Sequence, residues 1–517
     1  APHVTTHTFI HPIVFDLPRV GEKILLQNLS RRRPRAHTIL YHEEIILPII
    51  AAAVCCGAMP ATACRNDDGR TGYRITAQYS DGTLTAECEV DYYNASAPTG
   101  TLEFNIYPNA YRSGAQFRPV SDELRSRAYY AGTSYGGMEI TAVDGAKEWK
   151  ICGSDENILQ VTLPDTLETG RRATVTLSYE LTLAKVNHRT GITQRTVNLG
   201  NFYPTVCART EDGGFLQCEY YSDGDPFASD CADYTVELTL PAGLGAAASG
   251  MQTEADGNTL FYELENARDF CIVLSDGFEK LTADAGGTPV NYYHCDDAHA
   301  EEVLDAAAQA LAYFEDKFGE YEYPQLNIVQ TGFAAGGMEY PALAMISDEL
   351  SGDDAIYATV HEVAHQWWYA MVGSDQLNCA WQDEGLAEYS TLCFFEEHPQ
   401  YGYTRAGIVH SATEAYRAFY SVYGQLFGDA DTTMNRHLKD FLSDYEYVNI
   451  AYNKGLLLFE TLRSSVGDDK FFGALKSYFE DMRGKTATAD ALQKCFEKRG
   501  GDLSGVFESF IEGKVII

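Results

Sequence analysis

Residues 361–368 of this sequence read HEVAHQWW, and this stretch decides how the second half of the chain is interpreted. It lies within a helical pattern that runs from residue 354 to residue 372. Because a helix turns once in about 3.6 residues, His361 and His365 lie on one face and can bind a single metal ion. Glu362 lies beside that face, where its carboxylate can take a proton from water on the metal. A solvated helix face that carries two histidines is the alternative.

A third metal ligand is expected in the next predicted helix, which covers residues 383 to 397. Glu384 follows His365 after 18 intervening residues, a spacing that lets the second helix pack back against the first. Two histidines and one carboxylate leave one coordination position for water, which is typical of catalytic rather than structural zinc sites. Glu388, one turn further on, is a candidate to orient a histidine ligand. The pattern predicts one zinc ion bound by His361, His365 and Glu384.

The rest of the chain divides into segments with different patterns. Alternating apolar runs at residues 73–79 and 83–92 flank Asp81-Gly82, which is a hairpin signal, and similar runs follow. The alternation ends near Gly286, and helical patterns dominate after it. We therefore predict a leader over residues 1–63, an antiparallel β domain over residues 64–285, and a mainly helical domain with a small sheet over residues 286–517.

The first 63 residues have the order of charge and hydropathy found in secretory signals. A basic run at residues 31–35 precedes an uncharged apolar stretch at residues 45–58 and three small residues at 61–63. This order predicts export, and Cys64 directly after it is a candidate site for a lipid anchor on a membrane. A leader that is not a signal would instead leave the protein in the cytoplasm. The 13 cysteines include no CxxC pair, so the sequence indicates no cysteine zinc cluster and assigns no disulfide.

Composition and charge exclude several classes of protein. Acidic residues outnumber basic residues by 74 to 38, giving a formal net charge of -36. Such a surface repels nucleic-acid phosphate and anionic membrane, so neither is expected as a partner. Hydrophobic residues make up 45% of the chain, which excludes disordered, collagen-like and coiled-coil classes. The sequence does not determine the oligomeric state.

Four motifs, in a fixed order, carry a resemblance to a known family. They are GGMEY at residues 336–340, HEVAHQWW at 361–368, WQDEGLAEY at 381–389 and YNKGLLL at 452–458. Together they resemble the gluzincin zinc aminopeptidases, the family that includes alanyl aminopeptidase and leukotriene hydrolase. The resemblance implies a saddle-like antiparallel β domain followed by a thermolysin-like zinc peptidase domain.

The resemblance also implies a role for each motif. Glu362 matches the general base, and Tyr452 matches the tyrosine that stabilises the tetrahedral intermediate, to which a phenol can donate as charge develops. Glu339 matches the glutamate that holds the free α-amine of the substrate, and this contact separates an aminopeptidase from an endopeptidase. The amine-binding segment as a whole comprises Gly336, Gly337, Met338 and Glu339. The matched zinc ligands are His361, His365 and Glu384.

Two positions depart from the family pattern. Tyr340 and Asp383 stand where the family usually has Asn, the first beside the amine-binding glutamate and the second beside the third zinc ligand. The family also brings a polar residue of its first domain to the amine, for which Asp223 and Asp225 are candidates. Neither departure removes a group that hydrolysis needs.

The sequence therefore predicts a zinc aminopeptidase that hydrolyses N-terminal residues from peptides with zinc-activated water and a glutamate base. One alternative is a zinc endopeptidase with the same hydrolytic centre, which would cut N-blocked peptides well. The other is a non-catalytic extracytoplasmic binding protein with a vestigial metal site. The intact set of ligands, base and tyrosine argues against a vestigial site.

Overall fold

A computed structural model of the chain describes residues 69–515, apart from residues 211 and 429. The predicted leader, its apolar stretch at residues 45–58 and Cys64 lie outside the described residues. None of the ten cysteines within the described part forms a disulfide. Within that same part, no helix combines the length and the apolar character needed to cross a membrane.

The first region is built from β-strands in three sheets. In the largest sheet the strand order is β13-β14-β11-β1-β2-β7-β4, and the smaller sheets have the orders β10-β3-β6-β5 and β12-β15-β9-β8. A short helix α1 (Arg125–Ala128) lies between β3 and β4. The strands are β1 (Thr71–Ser80), β2 (Thr83–Tyr93), β3 (Thr99–Asn105), β4 (Gly137–Asp144), β5 (Glu148–Cys152), β6 (Ile158–Leu167), β7 (Arg172–Thr182), β8 (Thr190–Ile192), β9 (Val197–Leu199), β10 (Thr205–Val206), β11 (Ala232–Thr239), β12 (Gly245–Ala248), β13 (Met251–Asp256), β14 (Thr259–Ala267) and β15 (Ile272–Ser275).

The predicted hairpin forms from β1 and β2, and one pairing beside it differs from the prediction. Asp81 and Gly82 have φ angles of 47° and 84°, which allow the tight two-residue turn that matches strand twist. On its other side β1 runs parallel to β11, so the sheet is not wholly antiparallel. The chain passes through the two smaller sheets before it returns as β11, and so long a connection allows a parallel pair.

As predicted, the second region is mainly helical with a small sheet. This sheet has five strands in the order β16-β17-β18-β20-β19. A two-stranded parallel sheet joins β21 to β22. The elements are β16 (Glu279–Ala285), β17 (Thr288–His294), α2 (Ala300–Phe318), β18 (Leu326–Thr331), β19 (Gly337–Met338), β20 (Leu343–Ser347), α3 (Asp353–Ala364), β21 (Val372–Ser374), α4 (Trp381–Glu397), α5 (Arg405–Phe427), α6 (Asp444–Val448), α7 (Gly455–Val466), α8 (Asp468–Met482), β22 (Lys485–Ala487), α9 (Ala489–Gly500) and α10 (Ser504–Ile511).

The two regions share one hydrophobic core. The predicted boundary between residues 285 and 286 falls where β16 ends and the turn to β17 begins, and both strands belong to the sheet of the helical region. The change of sheet therefore comes earlier, between β15 and β16, and the division into separate domains stays a prediction.

A close approach between α4 and α7 brings two of the sequence motifs together. A Cβ atom on Gly385 would lie 2.8 Å from the Cα atom of Gly455, so both positions require glycine. Gly385 directly follows Glu384, and Gly455 begins the helix after the YNK residues of the last motif. The contact thus places Tyr452 beside the predicted metal ligands.

Candidate active site

The three predicted metal ligands meet at one point. His361 lies in the last turn of α3, His365 follows directly after this helix, and Glu384 lies in the first turn of α4. One ligand atom of each residue lies within 4.8 Å of the other two. The Nε2 atoms of the two histidines are 3.1 Å apart, and they lie 3.4 and 3.2 Å from Glu384 Oε2. All three side chains are buried.

The second nitrogen of each histidine has its own acceptor. His361 Nδ1 donates to Glu388 Oε2 at 3.0 Å, and His365 Nδ1 donates to the backbone oxygen of Trp368 at 3.1 Å. Because these bonds place a proton on each Nδ1, both Nε2 lone pairs are directed toward the Glu384 carboxylate. Three acceptors directed at one point need a cation between them. The donor set of two imidazoles and one carboxylate fits zinc.

The carboxylates around the ligands favour positive charge at this point. Burial opposes protonation of His361, but hydrogen bonds to Glu384 and Glu388 raise the pKa of this imidazole to about 9. Burial also opposes ionisation of Glu384, yet its bonds to the two histidines hold the pKa of this carboxyl well below its usual range. A divalent cation meets the same electrostatic demand, and its binding displaces the imidazole protons.

A break in the helix after His365 supplies the acceptor that orients this ligand. Residues Gln366–Met371 form a π-helical turn in which Trp368 (φ -106°, ψ 56°) and Tyr369 leave the helical conformation. The backbone oxygen of Trp368 is thereby free to accept from His365. The next carbonyl, that of Tyr369, accepts from Arg268 Nε at 2.9 Å. A residue of the β-rich region therefore holds the turn that orients a metal ligand.

The carboxylate of Glu362 lies between the metal ligands and the GGMEY motif. A Cβ atom on Gly337 would lie 2.3 Å from Glu362 Oε1, so only glycine admits this side chain here. Glu362 is buried, and its Oε2 has no hydrogen-bond partner among the residues that the structure describes. Burial raises the pKa of Glu362 to about 7, although the two histidines oppose the shift. The group is thus suited to exchange a proton near neutral pH.

The GGMEY motif forms the edge of the five-stranded sheet. Gly337 and Met338 make up β19, which pairs only with β20 in the described chain and so is an edge strand. The side chain of Met338 is buried, so this residue offers only its backbone to a ligand. Glu339 is 4% exposed, and its Oε1 lacks a partner within the described ranges. Burial, together with the charge of Asp225, raises the pKa of Glu339 well above its usual value.

Tyr452 lies at the metal centre, and sequence reasoning missed a second tyrosine beside it. The ring of Tyr452 stacks on His361 with 5.6 Å between centroids and 16° between planes. Burial raises the pKa of its phenol well above the usual value, and the Glu384 carboxylate adds to the shift, so the hydroxyl stays protonated. Tyr447 donates to Glu384 Oε1 at 3.3 Å. Its spacing of five residues from Tyr452 matches a π-helical turn, Asn449–Lys454, which the sequence does not signal.

Of the two aspartates considered for the first domain, the structure brings Asp225 to the site. Its charge is among the causes of the raised pKa values of both Glu339 and Glu362. Asp225 forms a buried ion pair with Arg189, a residue that no motif or pattern in the sequence singles out. Asp223 instead lies beside Asp444, and burial with this second carboxyl raises the pKa of Asp223 to about 9.

Asp383, which stands where the resembled family usually has Asn, is buried beside Glu384. Its Oδ1 accepts from the backbone nitrogen of Glu384 at 3.0 Å. Burial and the Glu384 charge raise the pKa of Asp383 to about 8, so this carboxyl is mostly protonated at neutral pH. A protonated carboxyl, like an amide, can both donate and accept, which explains why the departure is tolerated beside a metal ligand.

Comparison with known families agrees with the geometry of the site. Residues 302–510 match the Peptidase family M1 domain. This part of the chain is therefore similar to an M1 peptidase domain. The match contains all four motifs and confirms the resemblance to the gluzincin aminopeptidase family.

The chain is also similar to proteins named as aminopeptidases. Aminopeptidase B of Homo sapiens is 26% identical over 278 residues, which cover 50% of this chain and 40% of that protein. Aminopeptidase N of Streptomyces lividans is 27% identical over 233 residues, which cover 41% of this chain and 26% of that protein. The chain thus spans less than half the length of these relatives.

Solved structures extend the likeness to the β-rich region that precedes the matched residues. An M1 zinc metallopeptidase from Deinococcus radiodurans has a TM-score of 0.60 at 18% identity, covering 87% of this chain and 94% of that one. A mutant from the same organism, bound to a Tyr-Ser-Ala substrate, has a TM-score of 0.59 at 18% identity over 86% of this chain and 94% of that one. The predicted fold class, a β-rich region followed by a mainly helical one, is confirmed.

Glu388 is expected to tighten metal binding without contacting the ion. Its carboxylate accepts from His361 Nδ1 and, at 2.6 Å, from the hydroxyl of Tyr357. Glu388→Ala removes the group that orients His361, and we expect zinc affinity to fall about 10- to 100-fold. Competition with a chromophoric chelator measures this affinity, with the exposed Glu301→Gln as control. A folded Glu388→Ala protein that binds zinc as tightly as the control would contradict the orienting role.

Proposed function

We propose that the protein is a zinc aminopeptidase that removes N-terminal residues from peptides. The observation that supports it best is the position of Glu339: a buried carboxylate without a partner for Oε1 among the described residues, directly after the edge strand β19 and within electrostatic reach of Glu362, His365 and Glu384. A buried unpaired carboxylate oxygen has a large free-energy cost unless a cationic group binds it. The α-ammonium group of a peptide is such a group.

We assign the metal to one zinc ion held by His361, His365 and Glu384. When bound, zinc supplies Lewis-acid chemistry, since it acidifies water and polarises a carbonyl group. The chain itself supplies the orientation of the ligands, through Glu388, Tyr447 and the backbone oxygen of Trp368. The donor chemistry of the site and its convergent Nε2 lone pairs support this assignment.

The residues around the metal site divide the remaining tasks of peptide hydrolysis. Glu362 accepts a proton from the attacking water and delivers it to the leaving amine, a transfer suited to its pKa of about 7. The hydroxyl of Tyr452 donates to the oxygen on which negative charge develops. Glu339 accepts hydrogen bonds from the substrate ammonium group, and the free edge of β19 pairs with the peptide backbone. These contacts fix the cleaved bond one residue from the N-terminus.

A comparison of two peptides tests this function. We expect the full chain, loaded with zinc, to cleave a short peptide with a free N-terminus and to leave its N-acetylated twin intact. A chelator should abolish the cleavage. Equal cleavage of both peptides would assign the site to an endopeptidase. No cleavage of either, across a broad library of peptides, would favour the non-catalytic binding protein.

The same assay tests Glu339 as the amine anchor. Glu339→Gln keeps the size of the side chain but removes its negative charge. The hydrogen bond from the substrate ammonium group then has a neutral acceptor and is weaker. We expect KM for the free peptide to rise about 10- to 100-fold and the preference over the acetylated peptide to fall. Glu301→Gln is the matched control. An unchanged preference in folded Glu339→Gln protein would remove Glu339 from the amine subsite.

We also propose that the protein is exported and anchored through Cys64. This proposal is based on the sequence of residues 1–63 alone. Mass spectrometry of the protein purified from its native cell tests it. A lipid-modified Cys64 at the mature N-terminus is expected, and a mature chain that retains residues 1–63 would contradict export.

A further inference from the structure

We propose that Tyr340 is a positioning residue that directs Glu339 at the substrate amine by anchoring the GGMEY segment to the β-rich region. The inference rests on the proposed function and deepens it. In this role the Tyr340 side chain contacts the β-rich region and does not serve as a ligand for the substrate. The proposal therefore also accounts for a tyrosine where the resembled family usually has Asn.

The Tyr340 side chain ends in a hydrogen-bonded chain inside the β-rich region. Tyr340 is completely buried, and its hydroxyl donates to Asn201 Oδ1 at 3.0 Å. Asn201 Nδ2 donates in turn to Asp269 Oδ2 at 2.8 Å. The other oxygen of Asp269 accepts from the hydroxyl of Tyr203 at 2.9 Å. Both ends of the Asn201 amide are therefore used, so its orientation is fixed.

The backbone of the β-rich region is shaped to admit this phenol. A Cβ atom on Gly200 would lie 2.0 Å from the Tyr340 hydroxyl oxygen, so any other residue at position 200 would displace the ring. Asn201 has a φ of 52°, a left-handed conformation that asparagine tolerates better than most residues. Gly200 and Asn201 thus leave the space that the phenol of Tyr340 occupies.

The backbone on either side of the Tyr340 carbonyl is held by the metal-binding segment. Gln366, which directly follows the ligand His365, donates from Nε2 to the oxygen of Tyr340 at 3.2 Å. Its Oε1 accepts from the backbone nitrogen of Ala342 at 2.8 Å. Tyr340 is therefore fixed by its side chain to the β-rich region and by its backbone to the segment that carries a metal ligand.

Glu339 depends on this anchor because its own carboxylate is not fully tied down. Its Oε1 is buried without a partner among the described residues, so backbone placement and packing set the direction of the group. Tyr340, the next residue, is held through its backbone by Gln366 and by the backbone nitrogen of Leu343, and through its side chain by Asn201. Loss of the Tyr340 hydroxyl leaves Asn201 Oδ1 unsatisfied and removes the hydrogen bond to the β-rich region.

The matched test compares Tyr340→Phe with Tyr313→Phe. Tyr313 is also buried, and its hydroxyl donates to the backbone oxygen of Cys393 at 3.0 Å, so Tyr313→Phe loses a comparable hydrogen bond on α2. We expect Tyr340→Phe to raise KM for the free peptide about tenfold with kcat nearly unchanged. Its preference for free over acetylated peptide should fall by a similar factor. Tyr313→Phe should leave both quantities as in the unmodified protein.

A second variant keeps the proposal testable if Tyr340→Phe does not fold. Asn201→Gly removes the acceptor from the opposite side, and glycine adopts the φ of 52° without strain. Asn201→Gly also removes the bond to Asp269. It should reproduce the rise in KM, and in the double variant the two effects on KM should not add, because both variants remove the bond between Tyr340 and Asn201. Folded, zinc-loaded variants with unchanged KM and preference, or an equal loss in Tyr313→Phe, would overturn the positioning role. If the unmodified protein itself showed no preference for free peptides, the aminopeptidase assignment would fail instead.

Discussion

Replacing Glu362 by Gln is expected to lower kcat for peptide cleavage about 100- to 10,000-fold while zinc stays bound. The substitution keeps the volume of the side chain and its contact with Gly337, but an amide cannot take up the proton. Glu362 does not touch either histidine Nδ1, and those atoms are held by Glu388 and the oxygen of Trp368. The metal ligands therefore keep their orientation, and only the proton transfer is lost.

Steady-state kinetics together with the zinc content of the same samples checks this expectation. Glu301→Gln, on the exposed first turn of α2, controls for the loss of one negative charge. Binding of the free peptide to Glu362→Gln should persist, because Glu339 and β19 are untouched. Retention of more than about one tenth of the activity by a zinc-loaded variant would show that another group acts as the base.

The sequence could predict that His361, His365 and Glu384 lie together, because local geometry sets their positions. His361 and His365 share a helix face by periodicity. Glu384 lies in the next helix, and the short connection between the two helices lets α4 pack against α3. Hydrogen bonding within α3 and α4 then leaves little freedom in where the ligand atoms lie. The hairpin of β1 and β2 was predictable for the same reason, since Asp81 and Gly82 favour the left-handed turn that joins them.

The parts that the sequence did not predict depend on contacts between distant segments. Arg189 comes from the β-rich region, where it pairs with Asp225, which the sequence could name only as one of two candidates. Arg268 reaches the carbonyl of Tyr369 across about a hundred residues of sequence. The spacing of apolar residues along the chain carries no information about contacts between such distant residues. The parallel match of β1 with β11 likewise depends on the path of the chain through two other sheets.

The two π-helical turns are a further limit of sequence reasoning. Gln366–Met371 and Asn449–Lys454 each follow directly on an α-helix, with no proline or glycine to mark the change. They widen the helix where His365 needs a free carbonyl acceptor and where Tyr447 and Tyr452 both face Glu384. Tertiary packing around the site stabilises these turns, so their positions follow from the assembled structure.

Replacing Tyr452 by Phe is expected to lower kcat about 100- to 1,000-fold with little change in KM. The ring keeps its stacking on His361, so the variant should fold and bind zinc, and only the donor hydroxyl is lost. A contact that strengthens as charge develops on the substrate oxygen affects the transition state more than the bound substrate, which is why kcat rather than KM should change. Tyr313→Phe is again the control.

The preference for free over acetylated peptide distinguishes this variant from Glu339→Gln. Tyr452→Phe should slow cleavage of the free peptide without letting the acetylated peptide compete better, since the Glu339 carboxylate is unchanged. Glu339→Gln should have the opposite effect, with a smaller loss in kcat and a weaker preference. A kcat loss of less than about tenfold in zinc-loaded Tyr452→Phe would transfer the donor role to another group. Tyr447 would be the first candidate, because its hydroxyl also lies at the site, 3.3 Å from Glu384 Oε1.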